Sequence, residues 1–239
     1  MSGHSKWSTI KHKKAKEDAK RGQAFTKLIK EITVAARHGG GDPNANPRLR
    51  TLLEKAREVN MPIDNSNRAI KKGTGELPGV NYEEFMYEGY GPQGIAVIVE
   101  TLSDNKNRTV ASLRHLFSKM GGNLGESGSV NWMFEKLGVI HATAQGIKED
   151  QLIEALFDYD IRDVRQEEDG SFSVICDPKV LDQVKLAAQK AGLKVDEAAV
   201  EWVAKTSTEL DTAGEEKALD FLSALQDDED VQHVYTNLA

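Results

Sequence analysis

The residues of this chain that could do chemistry in numbers are its cations. Lys6, Lys11, Lys13, Lys14, Lys16, Lys20 and Arg21 crowd its start, with His12 among them. Arg68, Lys71 and Lys72 follow at spacings of three and four, which bring them to one helix face. Residues 1–75 hold 17 Lys and Arg against 7 Asp and Glu, a net charge of +10. The whole chain is −7, so residues 76–239 carry −17. A short basic module joined to a long acidic body points to a polyanionic partner for one end only. The plain alternative is a solvated face, the ordinary setting of Lys and Arg.

Cations that neutralise phosphates release counterions, so such binding weakens steeply as salt rises. Lys27, Arg48 and Arg50 extend the candidate surface. Trp7 stands alone among cations. Either it stacks on an unpaired base, a contact of ~1–3 kcal/mol, or it is an apolar plug that docks the arm onto the helical bundle. Asn65 and Asn67 are candidates for reading base edges and equally for local caps. Cations place a protein on phosphates without selecting sequence. The residues therefore indicate a phosphate backbone more clearly than a DNA sequence.

Catalytic candidates are weak. The run Gly121-Gly122-Asn123-Leu124-Gly125-Glu126-Ser127-Gly128-Ser129 lacks the lysine of a phosphate-binding P-loop. It also sits after a helix and before a strand, the reverse of the order that aims a helix N-terminus at phosphate. A structural turn is the better reading. His4, His12, His38, His115, His141 and His233 do not fall at metal-ligand spacing. Cys176 is the only cysteine, which excludes an internal disulfide and argues for a small core residue. The expectation is a chain with no catalytic residue, metal or cofactor. No apolar run approaches the ~20 residues of a membrane span, and the N-terminus lacks a signal-peptide core. The expected location is the cytoplasm, away from membranes, and the expected state is a monomer.

These residues need elements to position them. Phe25, Leu28, Ile29, Ile32 and Ala36 make one helical stripe, ended by Gly39-Gly40-Gly41. Asn46 caps a second helix with Pro47 at its first position, and Leu49, Leu52, Leu53 and Ala56 face inward. A third, short helix runs from near Asp64 to Gly73. Beyond a linker at residues 73–81 the period changes to that of strands. Strands at 82–90 and 94–102, a helix at 107–120 with Val110, Leu113, Phe117 and Met120 inward, and a strand at 129–134 give β-β-α-β. Next comes β-α-β-β-α-β: strand 138–143, helix 149–159 with Leu152, Ile153 and Leu156 inward, a hairpin turning at Asp169-Gly170, helix 178–191, and strand 199–205. That order is ferredoxin-like. A last helix, with Thr212 and Glu215 as a capping box, and a strand at 231–236 complete the first half. The expected fold class is α+β: an N-terminal three-helix basic domain (1–75), an α/β domain (76–136 plus 207–239), and a ferredoxin-like α/β domain inserted in it (137–206).

Several motifs together resemble the YebC family. They are Gly3-His4-Ser5-Lys6-Trp7, Ile10-Lys11-His12-Lys13, Ala19-Lys20-Arg21-Gly22, Phe25-Thr26-Lys27-Leu28-Ile29, Asn46-Pro47-Arg48-Leu49-Arg50, Asn60-Met61-Pro62, Arg68-Ala69-Ile70-Lys71-Lys72-Gly73, Tyr87-Glu88-Gly89-Tyr90-Gly91-Pro92, Asn107-Arg108-Thr109 and Gly121-Gly122-Asn123-Leu124-Gly125. The resemblance covers essentially the whole chain. It implies three domains, the third inserted in the second. It further implies a probable transcriptional regulator that binds DNA or, as in other relatives, a ribosome-associated translation factor that binds ribosomal RNA and aids synthesis of proline-rich stretches.

Overall fold

The computed structural model describes residues 7, 21–144, 149–167 and 170–239. Most of the predicted basic arm, namely Lys6, Lys11, His12, Lys13, Lys14, Lys16 and Lys20, lies outside them, as does Asp169 of the predicted hairpin turn.

Three helices open the described chain: α1 (Arg21–Gly39), α2 (Pro47–Glu58) and α3 (Ile63–Gly73). Their core is the predicted stripe, with Leu28, Ile32, Leu49, Leu52 and Ala56 buried beside Met61 and Ala69. Asn46 does more than cap. Its side-chain oxygen accepts from the Leu49 N–H at 3.1 Å, while its amide donates to the Ala35 and Gly40 carbonyls at 2.9 Å each. One buried amide thus starts α2 and ties it to the end of α1. Gly73 lets α3 approach α1 closely, because a Cβ there would overlap the Thr33 carbonyl and the Ala36 methyl.

The first α/β layer contains β1 (Glu83–Tyr90), β2 (Ala96–Ser103), α4 (Lys106–Lys119), β3 (Asn123–Leu124), α7 (Thr212–Gln226) and β8 (Val231–Thr236). Its strand order is β3-β1-β2-β8. β1 and β2 pair antiparallel from Glu83↔Ser103 to Tyr90↔Ala96. The run Ala96–Val99 is fully buried, as a central strand requires. Phe117 of α4 and Phe221 of α7 meet edge to face beneath the sheet, centroids 4.9 Å apart.

The inserted layer contains β4 (Phe134–Thr143), α5 (Glu149–Leu156), β5 (Ile161–Gln166), β6 (Phe172–Cys176), α6 (Leu181–Lys190) and β7 (Lys194–Ala204), with order β5-β6-β4-β7. Ile140, Leu152, Leu156, Phe172, Val174, Cys176 and Val184 form its core. The expected α+β architecture therefore stands, with helices first and two four-stranded layers after them. The two layers share one spatial plan. Taking β4, β5, β6 and β7 as first to fourth, the order is second-third-first-fourth. In the other layer β2, β3, β1 and β8 occupy those same places. That layer is a permuted version in which the third strand comes first in the chain.

The described residues form two compact units. One joins 21–129 to Leu210–Val234, and Val130–Glu209 with Tyr235–Ala239 belong to the other.

Several details depart from the expected elements. The predicted strand at 129–134 is absent. Residues Asn131–Met133 make a short 3-10 turn, and the third strand of the first layer is the two-residue β3, paired as Gly89↔Leu124 and Tyr90↔Asn123. β4 instead begins at Phe134, because ten register pairs with β7 hold it as one strand from that point. The cap of α7 is Asp211, which accepts from the Gly214 N–H at 2.7 Å, rather than Thr212. On α4 it is Thr109 that is buried, with Val110 half-buried. Ile153 of α5, expected inward, is 38% exposed.

Candidate nucleic-acid interface

The cations of the helical module divide by what they touch. One set is spent inside the molecule. Lys30 is only 6% exposed and its ammonium donates to the Glu229 carbonyl at 2.9 Å and to Asp230 Oδ1 at 2.8 Å. Its charge also stands over the Tyr82 ring, 5.6 Å from the centroid. Lys27 donates to the Gln226 carbonyl. Arg37 holds Asn81 Oδ1 and the Tyr82 and Val80 carbonyls. Arg48 pairs with Glu84 at 2.6 Å, both half-exposed. Lys27 and Arg48, expected as phosphate contacts, are thus engaged with the adjoining α/β layer.

Asp230, just before β8, is the hub of that docking. Arg108 of α4 reaches its two oxygens at 3.1 and 2.9 Å, Thr109 Oγ1 donates at 2.8 Å, and Ser103 Oγ at 3.1 Å. Burial alone would push this carboxyl up. The hydrogen bonds from Lys30, Arg108 and Thr109 outweigh burial and hold it down at about 2. The Arg108 guanidinium is in turn stabilised in its charged form by Asp230 and Asp104. Lys30, Ser103, Arg108, Thr109 and Asp230 were not among the sequence candidates. Asn107-Arg108-Thr109 was visible as a motif, but nothing local in the sequence connects it to a residue more than a hundred positions away.

The second set is free. Arg50 on α2 and Arg68, Lys71 and Lys72 on α3 are exposed and have no carboxylate partner among the described residues. On α3 the buried positions are Ser66 and Ala69, so the three cations occupy the outer side. Asn67 is exposed beside them and Asn65 is half-buried. Arg21 begins α1. Trp7 is a different case: it is 2% exposed, so its ring faces are covered rather than offered to a base.

Among the described residues no group of His, Cys, Asp and Glu could hold a metal ion, and no helix is long and apolar enough to cross a membrane. The Gly121–Ser129 loop is held from within: the Gly125 and Gly128 N–H groups bond the carbonyl and carboxylate of buried Glu88, both at 2.8 Å. Cys176 is buried, and that burial, followed by the charges of Asp177 and Asp160, pushes its thiol up to about 11.

Residues 5–76 match the TACO1/YebC protein N-terminal domain, and residues 82–238 match the TACO1/YebC second and third domain. This chain belongs to the TACO1/YebC family. A probable transcriptional regulatory protein of Chlorobaculum tepidum is 52% identical over 100% of this chain and 95% of its own length. One of the same description from Desulfosudis oleivorans is 54% identical over 99% of this chain and 96% of its own. The crystal structure of a conserved hypothetical protein from Aquifex aeolicus superposes with a TM-score of 0.85 at 43% identity, covering 94% of this chain and 93% of that one. The Aquifex structure thus shares the fold over nearly the whole chain, and the two sequence relatives carry the description of probable transcriptional regulatory proteins.

Proposed function

We propose that this TACO1/YebC protein is a non-enzymatic, cytoplasmic regulator of gene expression that binds nucleic acid through its helical module. One observation carries the reading: Arg68, Lys71 and Lys72 stand exposed and unpaired on α3 although residues 76–239 carry a net charge of −17. Arg50 lies on the same module, and Lys6, Lys11, His12, Lys13, Lys14, Lys16, Lys20 and Arg21 lengthen the cationic stretch in sequence. DNA is the target that the relatives' description as transcriptional regulatory proteins favours.

Ribosomal RNA is the second reading. It is favoured by the outer side of α3, which offers cations and one exposed amide, Asn67, rather than a row of base-edge readers. In-cell ultraviolet crosslinking with sequencing of the recovered DNA and RNA separates the two. Promoter segments would establish DNA regulation, and discrete ribosomal positions a translation factor. The surface itself is tested by Arg68→Glu/Lys71→Glu/Lys72→Glu and by Lys11→Glu/Lys13→Glu/Lys14→Glu. Both variants should keep the wild-type unfolding midpoint and lose binding to duplex DNA and to ribosomal RNA at low salt. Full affinity in the folded variants would remove the assignment.

A further inference from the structure

The acidic body carries one strongly basic element, α4, with four cations and no carboxylate; β5 and α6 each reach a net charge of only +1. Between residues 76 and 135 the only Lys and Arg are Lys106, Arg108, Arg114 and Lys119, and all four lie on α4, which has no carboxylate. Eight Asp and Glu surround it in that same stretch of sequence. The fold does not demand this charge. α5 holds the equivalent place in the inserted layer, after the first strand, and it carries Glu149, Asp150 and Glu154 with no cation. Nor does helix stability demand it, since cations in the first turn, Lys106 and Arg108, oppose the helix dipole.

Two of the four are occupied. Arg108 serves Asp230 and Asp104, and the Lys106 ammonium lies 5.4 Å from the centre of the Phe85 ring. Arg114 and Lys119 are exposed and have no carboxylate partner among the described residues. At about 100° per residue, Asn107, Ala111 and Ser118 run down the middle of the exposed side. Arg114 flanks them on one edge, His115 and Lys119 on the other. A strip of short side chains between two cationic edges admits a rod of negative charge close to the helix. It offers an apolar partner only the methyl of Ala111 and no large exposed apolar side chain, since Val110 and Leu116 are half-buried and Leu113 and Phe117 are buried.

We infer that this side of α4 is a second phosphate-contact surface, carried by the α/β layer, for the same nucleic acid that the helical module engages. The inference rests on the function proposed above. Its test uses the full chain, with labelled duplex DNA and single-stranded RNA as probes, and reads affinity against salt. In Arg114→Gln/Lys119→Gln, the slope of log affinity against log salt should fall by about 1.8 on duplex DNA and about 1.4 on a single strand. Lys179→Gln/Lys190→Gln removes the same net charge from exposed sites in the inserted layer and should leave the slope unchanged. If the α4 variant keeps the wild-type slope, or if the control loses as much, α4 is not a contact surface while the proposed function stands. If wild-type protein binds neither probe at low salt, the proposed function itself fails and this inference with it.

Discussion

The two α/β layers have the same arrangement of strands and opposite characters. In the inserted layer the helix after the first strand is acidic, and the ion pairs Arg162–Glu135 and Arg165–Asp163 stand at least a quarter exposed. In the permuted layer the equivalent helix is basic, and its first turn feeds a buried hub at Asp230, 3% exposed on its side chain. A common scaffold therefore leaves charge free to be assigned by role. One layer is tied to the helical module through ionised groups that are deeply buried and multiply bonded. The other rests mainly on its apolar core.

Breaking the hub should have the largest effect. Asp230→Ala strands Lys30 in a buried site without its partner, and should cost about 3–5 kcal/mol of unfolding free energy in a denaturant titration. A loss below about 1 kcal/mol would mean that the module docks by other contacts. Acid acts on the same group with a smaller effect. The folded carboxyl lies at about 2, below its ordinary value of 3.8. Its contribution is thus complete above the ordinary value and disappears as pH falls through 3.8 towards 2. That contribution is about 2 kcal/mol, and Asp230→Asn should remove this part of the acid dependence. The inserted layer offers the contrasting probe. Cys176 should resist thiol reagents at neutral pH until that layer opens, so its labelling rate should follow unfolding. Rapid labelling of native protein would contradict its buried, raised thiol. The smallest effect is expected at Arg48→Ala, since the half-exposed pair with Glu84 is worth about 0–1 kcal/mol, readable as a small shift in unfolding midpoint.

Much of this was legible in the residues, for identifiable reasons. Asn46-Pro47 and the stripe Leu49, Leu52, Ala56 are local signals, and α2 forms where they put it. The β-α-β-β-α-β order of the inserted layer was readable from period alone. The strand at 129–134 was misplaced because a two-residue strand such as β3 has no periodicity to detect. Thr109 was overlooked as a buried residue because apolar periodicity favours Val110. The hydroxyl faces inward to reach Asp230 and Ser103, with Thr109 Oγ1 2.7 Å from Ser103 Oγ. In the candidate interface, Arg68, Lys71 and Lys72 are exposed as their spacing suggested. Lys27 and Arg48 look no different in sequence, yet their partners are Gln226 and Glu84. Local pattern separates cations from apolar groups, but not a cation facing solvent from one facing a distant carbonyl.

The Lys30–Asp230 contact spans 200 positions of chain. During synthesis at about 5–20 residues per second, on the order of 10–40 seconds separate the emergence of its two ends. The helical module can complete its local turns early. Its anchor arrives only after the whole inserted layer has been made. For that interval the nascent module must manage its charge without Asp230, alongside a ribosome that is itself a dense polyanion.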